Sequence, residues 1–248
     1  MSNGEKPRRS GRSIVSVAAF GWLIGCAGMG GVASAGSFKV SPVQINLPVD
    51  ARAVSLKMTN SDAAPVSVRV TTYAWSQAEG RDVYSPTNAV IVSPPIFTIP
   101  AGQTQLVRIG LRNKGGSNAY RVIFEEIPVQ KPVGGQVQIT VRLNLPLYVL
   151  PPGGGKPDLS WKAWRGKDGD MVLEGRNRGS LHGQVTRLSA SHSGTSQLLS
   201  NDMGVVLPGS ARQWKIGKRP DFAVGAPILL KVRSSAGETQ TQIVVEQR

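Results

Sequence analysis

Two histidines, His182 and His192, stand ten residues apart in a Ser/Gly-rich stretch. A structural or catalytic metal centre needs three or four ligands converging at close spacing. No third ligand of suitable type accompanies the pair, so both read as solvent-exposed loop residues. Glu125 and Glu126 are adjacent, and neighbouring side chains on a strand point to opposite faces, so they cannot act together as acid and base. Asp168 and Asp170 fall in Gly166-Lys167-Asp168-Gly169-Asp170, a turn sequence with too few carboxylates for a good calcium loop. Gly154-Gly155-Lys156 has the flavour of a phosphate loop. That motif needs Gly where Leu150 stands and Ser or Thr where Pro157 stands. No Gly-x-Ser-x-Gly elbow is present. The residues offer no catalytic set, no metal site and no cofactor site, and the chain reads as a non-enzyme without a small-molecule substrate.

Cys26 is the sole cysteine of the 248 residues. Residues 1–35 read as a secretory leader: Lys6, Arg8, Arg9 and Arg12 precede an apolar run from Ile14 to Ile24, and Ala33-Ser34-Ala35 is an A-x-A cleavage site. Cleavage after Ala35 removes Cys26 and leaves an exported chain without disulfides. A rival reading takes Leu23-Ile24-Gly25-Cys26 as a lipobox with Cys26 acylated. The Arg8-Arg9 pair lacks the apolar residues that a twin-arginine signal places just after it. No later stretch approaches the length of a membrane span. The formal net charge is +14. Loss of the leader, with its four basic residues and one acidic residue, lowers it to +11. The charge is dispersed, with little aromatic interleaving, so nucleic acid is not the expected partner and an acidic protein surface is a better match.

Positioning elements dominate the remainder. Between Gln136 and Leu150 the positions Val137, Ile139, Val141, Leu143, Leu145, Leu147 and Val149 alternate with Gln138, Thr140, Arg142, Asn144, Pro146 and Tyr148. Such a period marks a β-strand with one apolar face, and this strand is unusually long. It is either a long core strand or a strand lent to a partner whose sheet lacks one. Shorter alternating stretches occur at Val43–Leu47, Val54–Met58, Val66–Val70, Ile96–Ile99, Val107–Leu111 and Tyr120–Phe124. About seven β segments at such spacing predict an immunoglobulin-like sandwich. Amphipathic helical periodicity is absent. Pro151-Pro152-Gly153-Gly154-Gly155-Lys156-Pro157 is a linker. Strand-like stretches resume at Met171–Leu173, Val185–Leu188, Val205–Leu207, Gln213–Ile216, Ile228–Val232 and Gln240–Val245, with Trp161, Trp164 and Trp214 as core anchors. The predicted organisation is all-β: leader 1–35, first sandwich 36–151, linker 152–157, and a second sandwich 158–248.

Three stretches then become specific. They are Ser93-Pro94-Pro95-Ile96-Phe97-Thr98-Ile99-Pro100-Ala101-Gly102-Gln103 with Val107-Arg108-Ile109, Tyr120-Arg121-Val122-Ile123-Phe124-Glu125-Glu126-Ile127-Pro128, and Leu145-Pro146-Leu147-Tyr148-Val149-Leu150-Pro151. Together with Val40-Ser41-Pro42-Val43 and Thr59-Asn60, they resemble periplasmic chaperones of the chaperone–usher pathway. The ending of the third stretch resembles the archaic, spore-coat-protein-like branch. The likeness covers most of residues 38–151 and becomes vague beyond them.

The resemblance implies a boomerang of two immunoglobulin-like domains. It implies a chaperone that binds pilus, fimbrial or coat-like subunits by donor-strand complementation and delivers them to an outer-membrane usher. The subunit-binding residues it implies are Val137, Ile139, Val141, Leu143 and Leu145, with Gln44. P-pilus-type members grip the subunit carboxylate with an Arg and a Lys, and those positions fall near Gln44 and Pro146 here, neither of them charged. Arg142 and Arg121 are the nearest basic substitutes, although Arg142 also reads as a plain solvated strand residue. Arg108 matches a family arginine near the domain interface, with Glu125 or Glu126 as its partner and Glu126 assigned a structural part. An exposed apolar strand also makes a self-capping dimer plausible. The competing reading is a structural or adhesive exported protein, lipid-anchored if Cys26 is acylated, whose sandwiches keep their own strands.

Overall fold

Eighteen strands, and no helix, make up the described residues of the computed structural model, which are 38–113, 118–128, 139–192 and 194–248. The first ten are β1 (Phe38–Ser41), β2 (Ile45–Pro48), β3 (Ala53–Asn60), β4 (Val66–Ala78), β5 (Arg81–Pro86), β6 (Val90–Ser93), β7 (Ile96–Ile99), β8 (Thr104–Leu111), β9 (Ala119–Ile127) and β10 (Arg142–Leu150). They form two facing sheets, ordered β1-β3-β8-β6 and β2-β10-β9-β4-β5, with β7 also paired to β4. Alternation supplies the core from both sides. Leu56, Met58, Val107 and Ile109 point inward from one sheet, and Ile45, Val68, Val122, Phe124 and Leu147 from the other. Each such side chain contributes about 1.5–3 kcal/mol by leaving water.

The chain changes sheet between β1 and β2: β1 runs antiparallel to β3, whereas β2 runs parallel to β10. Asn60, fully buried, ties the end of β3 down. Its Nδ2 donates to the carbonyls of Ala64 and Ile99, and its Oδ1 accepts from the Asp62 amide. Those bonds offset the cost of burying an amide.

The remaining strands are β11 (Leu159–Arg165), β12 (Met171–Asn177), β13 (Gly183–His192), β14 (Thr195–Ser200), β15 (Gly204–Val206), β16 (Ala211–Gly217), β17 (Pro227–Ser234) and β18 (Gly237–Gln247). They form one sheet in the order β14-β13-β17-β18-β11-β12-β16, with β15 on β13. β18 links the two layers: Gly237–Val244 pair with β17, and Val245–Gln247 then run parallel to Ala163–Arg165 of β11. Trp161 and Trp214 are buried in this core with their rings 5.4 Å apart. Trp164 is 7% exposed and lies under the Arg248 guanidinium, 3.9 Å from the ring centroid.

Three features differ from the sequence expectation. β4 continues to Ala78, because Tyr73 and Trp75 apolarise its second face and erase the period-2 contrast beyond Val70. β5, β6 and β14 carry too little apolar alternation to be read beforehand, and β11, which alternates from Leu159 to Ala163, enters the sequence expectation only as the site of the Trp161 and Trp164 anchors. The long final strand of the first sandwich begins at Arg142 rather than Gln136: Ile139–Val141 are not strand, and Gln136 and Val137 lie outside the described residues.

Candidate functional site

β10 is flanked unequally. Along one side it pairs with β9 from Arg142 to Tyr148. Along the other, β2 covers only Leu147 to Leu150, by the pairing of Leu147 with Ile45 through Leu150 with Pro48. Among the described residues, no strand pairs with 142–146 on that side. The N-terminal half of β10 is therefore an open sheet edge, with main-chain donors and acceptors available to a further strand.

The alternating row changes environment along this edge. Leu147 is 0% exposed and Leu145 8%, both in the sandwich core; Leu143 is half-buried against that core; Val141 is half-buried; Ile139 is 56% exposed. Val137, the remaining member of the row, lies outside the described residues. Leu145 is thus engaged within its own domain, while Ile139 is largely open to solvent.

The outer face of the same sheet carries the charged residues. Gln44 stands level with Pro146, since Ile45 pairs with Leu147, and its Nε2 donates to Asn46 Oδ1 at 3.0 Å. Arg121 of β9 pairs with Pro146 on one side and Tyr73 on the other. It therefore lies in the same cross-strand row as Gln44 and Pro146. Its guanidinium sits 3.9 Å from the Trp75 ring centroid and 5.8 Å from that of Tyr84, and its Nε is buried without a hydrogen-bond partner. No ion pair among the described residues includes Arg121. Arg142 is placed differently: its Nε lies 3.0 Å from Glu125 Oε1, and its side chain is 60% exposed. The Glu126 side chain accepts from the Val141 amide at 3.0 Å, while its own amide donates to the Val141 carbonyl, which fixes where the chain enters β10.

Arg108 has neither expected partner. It is exposed on β8, in the opposite sheet from Glu125 and Glu126, and Glu125 is occupied by Arg142. The contacts between the two sandwiches instead use the outer face of β4, β5 and β10. Gln77 donates from Nε2 to the Val205 carbonyl at 2.7 Å and accepts the Leu207 amide at 3.0 Å, behaving like an added backbone unit beside β15. The Gln213 amide donates to the Gly80 carbonyl at 2.9 Å.

Asp82 is the hub of this junction. It receives Trp75 Nε1, Gln77 Nε2 and Arg212. Burial alone would raise the Asp82 carboxyl, but the hydrogen bonds from Gln77, Arg212 and Trp75 outweigh it and hold the group below its ordinary value. Beside it, Tyr148 of β10 stacks on His182 with centroids 3.5 Å apart and planes 6° from parallel, and Trp75 lies 5.9 Å from Tyr148. Burial pushes the Tyr148 hydroxyl up to about 12 and His182 down to about 4. His182 is therefore not the exposed loop residue expected from sequence. Its loop is shaped by the fully buried Asn177, which donates to the Leu181 and Val206 carbonyls and accepts the Asp158 and Gly179 amides. Sequence reading missed Trp75, Gln77, Asp82 and Asn177. Two aromatics nine residues apart across Glu79-Gly80 were the available sign of a hairpin with a sticky face.

A family model described as "Pili and flagellar-assembly chaperone, PapD N-terminal domain" matches residues 37–154. The match is confined to the first domain, which is similar to this chaperone family. A search of curated proteins gives no sequence match. Among solved structures, the chain is similar to one from the CsuC–CsuE chaperone–tip adhesion subunit pre-assembly complex of the archaic chaperone–usher Csu pili of Acinetobacter baumannii. That likeness has a TM-score of 0.63 at 22% identity and covers 86% of this chain and 99% of the other. The E. coli chaperone DraB gives 0.56 at 18% identity, over 87% and 98% of the two chains. A structure of the Salmonella enterica SafA pilin in complex with the SafB chaperone gives 0.58 at 16%, over 84% and 96%. At these identities the likeness establishes a shared all-β, two-domain fold. The family is a class of chaperones rather than of enzymes, and it is periplasmic.

Proposed function

We propose that this protein is a chaperone that binds a pilus or coat-like subunit lacking a strand of its own, lends it the open N-terminal edge of β10, and passes it to an outer-membrane usher. The observation that carries the reading is the unequal flanking of β10. Its C-terminal half is sealed by β2 and its apolar residues fill the domain core, whereas its N-terminal half has an open edge and an apolar row that emerges to 56% exposure at Ile139. An incoming strand gains main-chain hydrogen bonds there and covers Ile139, Val141 and Leu143 in one step. Val137 extends the row in sequence. The likeness to the archaic Csu chaperone chain supports the archaic branch. An A-x-A leader cut after Ala35 delivers the chain to the periplasm; acylation at Cys26 is the alternative fate of that segment. In the absence of a subunit the same edge serves for self-capping as a dimer.

Of the two candidate anchors for the subunit's terminal carboxylate, the geometry favours Arg121. It lies level with Gln44 and Pro146, sits over the Trp75 ring, and has no carboxylate partner among the described residues, whereas Arg142 is already paired with Glu125. The test is co-expression with candidate pilus subunits and purification through this chain, comparing Arg121→Ala, Arg142→Ala and Val141→Asp/Leu143→Asp. The reading expects a one-to-one complex that is lost in the double variant, weakened by Arg121→Ala and retained by Arg142→Ala. A subunit-free monomer, equally soluble with and without the double variant, would refute strand lending. Capture that depends on Arg142 instead would refute the anchor assignment alone.

A further inference from the structure

The four-stranded sheet of the first domain has an outer face that the strand-lending edge does not use. Lys39 of β1, Lys57 of β3 and Arg108 of β8 all lie exposed on it. Lys39 pairs with Thr59, Lys57 with Leu106, and Arg108 with Ser55 and Ser93. The three cations are consequently diagonal neighbours across three strands, at separations of about 7–8 Å between backbones. β1, β3, β6 and β8 contain no Asp or Glu, and no ion pair among the described residues includes these three. Leu106 and Ile91 stand in the same field, 42% and 45% exposed.

A lysine on an edge strand discourages sheet-to-sheet aggregation, which accounts for Lys39 on β1. It does not account for Lys57 and Arg108, which sit on the two central strands. Like charges grouped on one face with no counter-charge among them repel one another, so folding alone gives no reason for the arrangement. A membrane surface is a poor occupant, because no exposed Trp, Tyr or Phe on this face would anchor it at a lipid interface. Aliphatic side chains interleaved with cations suit a protein surface of opposite charge and similar spacing.

We infer that the outer face of the β1-β3-β8-β6 sheet docks a protein segment that presents carboxylates around aliphatic side chains, separately from the subunit edge. The probe is a 12-residue peptide of Asp, Glu, Leu and Ile, with a counterpart in which Lys replaces the acids, and with phosphatidylglycerol vesicles as the lipid comparison. Binding to the purified protein is read by fluorescence anisotropy at low and high salt. The variants are Lys39→Glu/Lys57→Glu/Arg108→Glu and, with the same change in net charge, Lys162→Glu/Arg176→Glu/Arg187→Glu on the second domain. The Lys39→Gln/Lys57→Gln/Arg108→Gln variant replaces the first set if charge reversal impairs folding by circular dichroism. The expected result is acidic-peptide binding that weakens at least tenfold in the face variant, survives in the second-domain variant, and falls with salt. Equal weakening by both sets, preference for vesicles through the same three residues, or no peptide binding at all would each overturn the inference.

Discussion

Ile139→Asp separates lending from folding. In the free chain Ile139 is 56% exposed and precedes β10, so the substitution removes little native burial. Its effect on unfolding should stay within about 0.5 kcal/mol. Under an incoming strand the same position becomes covered. The burial gain of an isoleucine, about 1.5–3 kcal/mol in full and roughly half of that for the part still exposed, is then lost. Placing a carboxyl in an apolar groove without a partner adds about 1–3 kcal/mol more. The sum is about 3 kcal/mol, or on the order of a hundredfold in affinity. Leu147→Ala is the internal contrast: Leu147 is 0% exposed, so truncation should cost about 2–5 kcal/mol of stability while leaving the 142–146 edge intact. Urea unfolding of each variant, alongside subunit capture by gel filtration, reads both quantities. Capture by Ile139→Asp within threefold of wild type, or destabilisation of the free variant by more than about 2 kcal/mol, would refute the reasoning.

Other consequences concern the junction between the sandwiches. The low pKa of about 4 at His182 means that the folded state resists its protonation, so the stability its neutral form contributes is complete above pH 6.5 and is lost as pH falls from there toward 4. Allowing for its partly open edge, the loss should be about 1–2 kcal/mol, and His182→Phe should flatten that limb in an acid titration followed by tyrosine and tryptophan fluorescence. Asp82 is held below its ordinary value, so its contribution persists to lower pH and fades only below the normal carboxyl range. Asp82→Asn keeps the shape but removes the charge facing Arg212, and should cost about 1–3 kcal/mol and raise amide exchange at Val205, Leu207 and Gln213; unchanged exchange there would count against the hub. Gly80→Ala places a methyl against the Gln213 side chain at φ +74°, and should destabilise by about 1–3 kcal/mol in thermal unfolding.

The β character and the identity of the final strand of the first domain were legible because their core faces alternate cleanly with polar residues. Leu56 and Met58 on β3 show this, as do Val107 and Ile109 on β8. The extent of β4 was not, because its outer face becomes apolar where it meets the second sandwich, and a strand covered on both sides has no alternation to read. The junction was illegible for a related reason. Gln77, Asp82 and Arg212 are ordinary polar residues in sequence, and 130 positions separate Asp82 from Arg212 before folding brings them into a charge-assisted bond. Arg108 shows the opposite error. A motif position suggested its role, yet the sheet to which β8 belongs places it on the far face from both glutamates.

β10 ties these parts into one argument. Its first residues carry the open edge, its middle carries Leu145 and Leu147 into the core, and its last carry Tyr148 and Leu150 into the cluster with Trp75 and Leu207. These three environments follow one another along nine residues. A strand rigidly seated at its middle and clamped at its end cannot slide when a partner pairs with its beginning, because a one-residue slip would turn Leu145 and Leu147 out of the core. Register at the edge is thus dictated by burial elsewhere on the same strand. The second domain takes part through Tyr148 and His182, which stack where β10 leaves the first sandwich. Loosening that stack by acid or by His182→Phe should therefore affect the precision of capture more than the exposure of Ile139, and hydrogen exchange along 142–150 distinguishes the two.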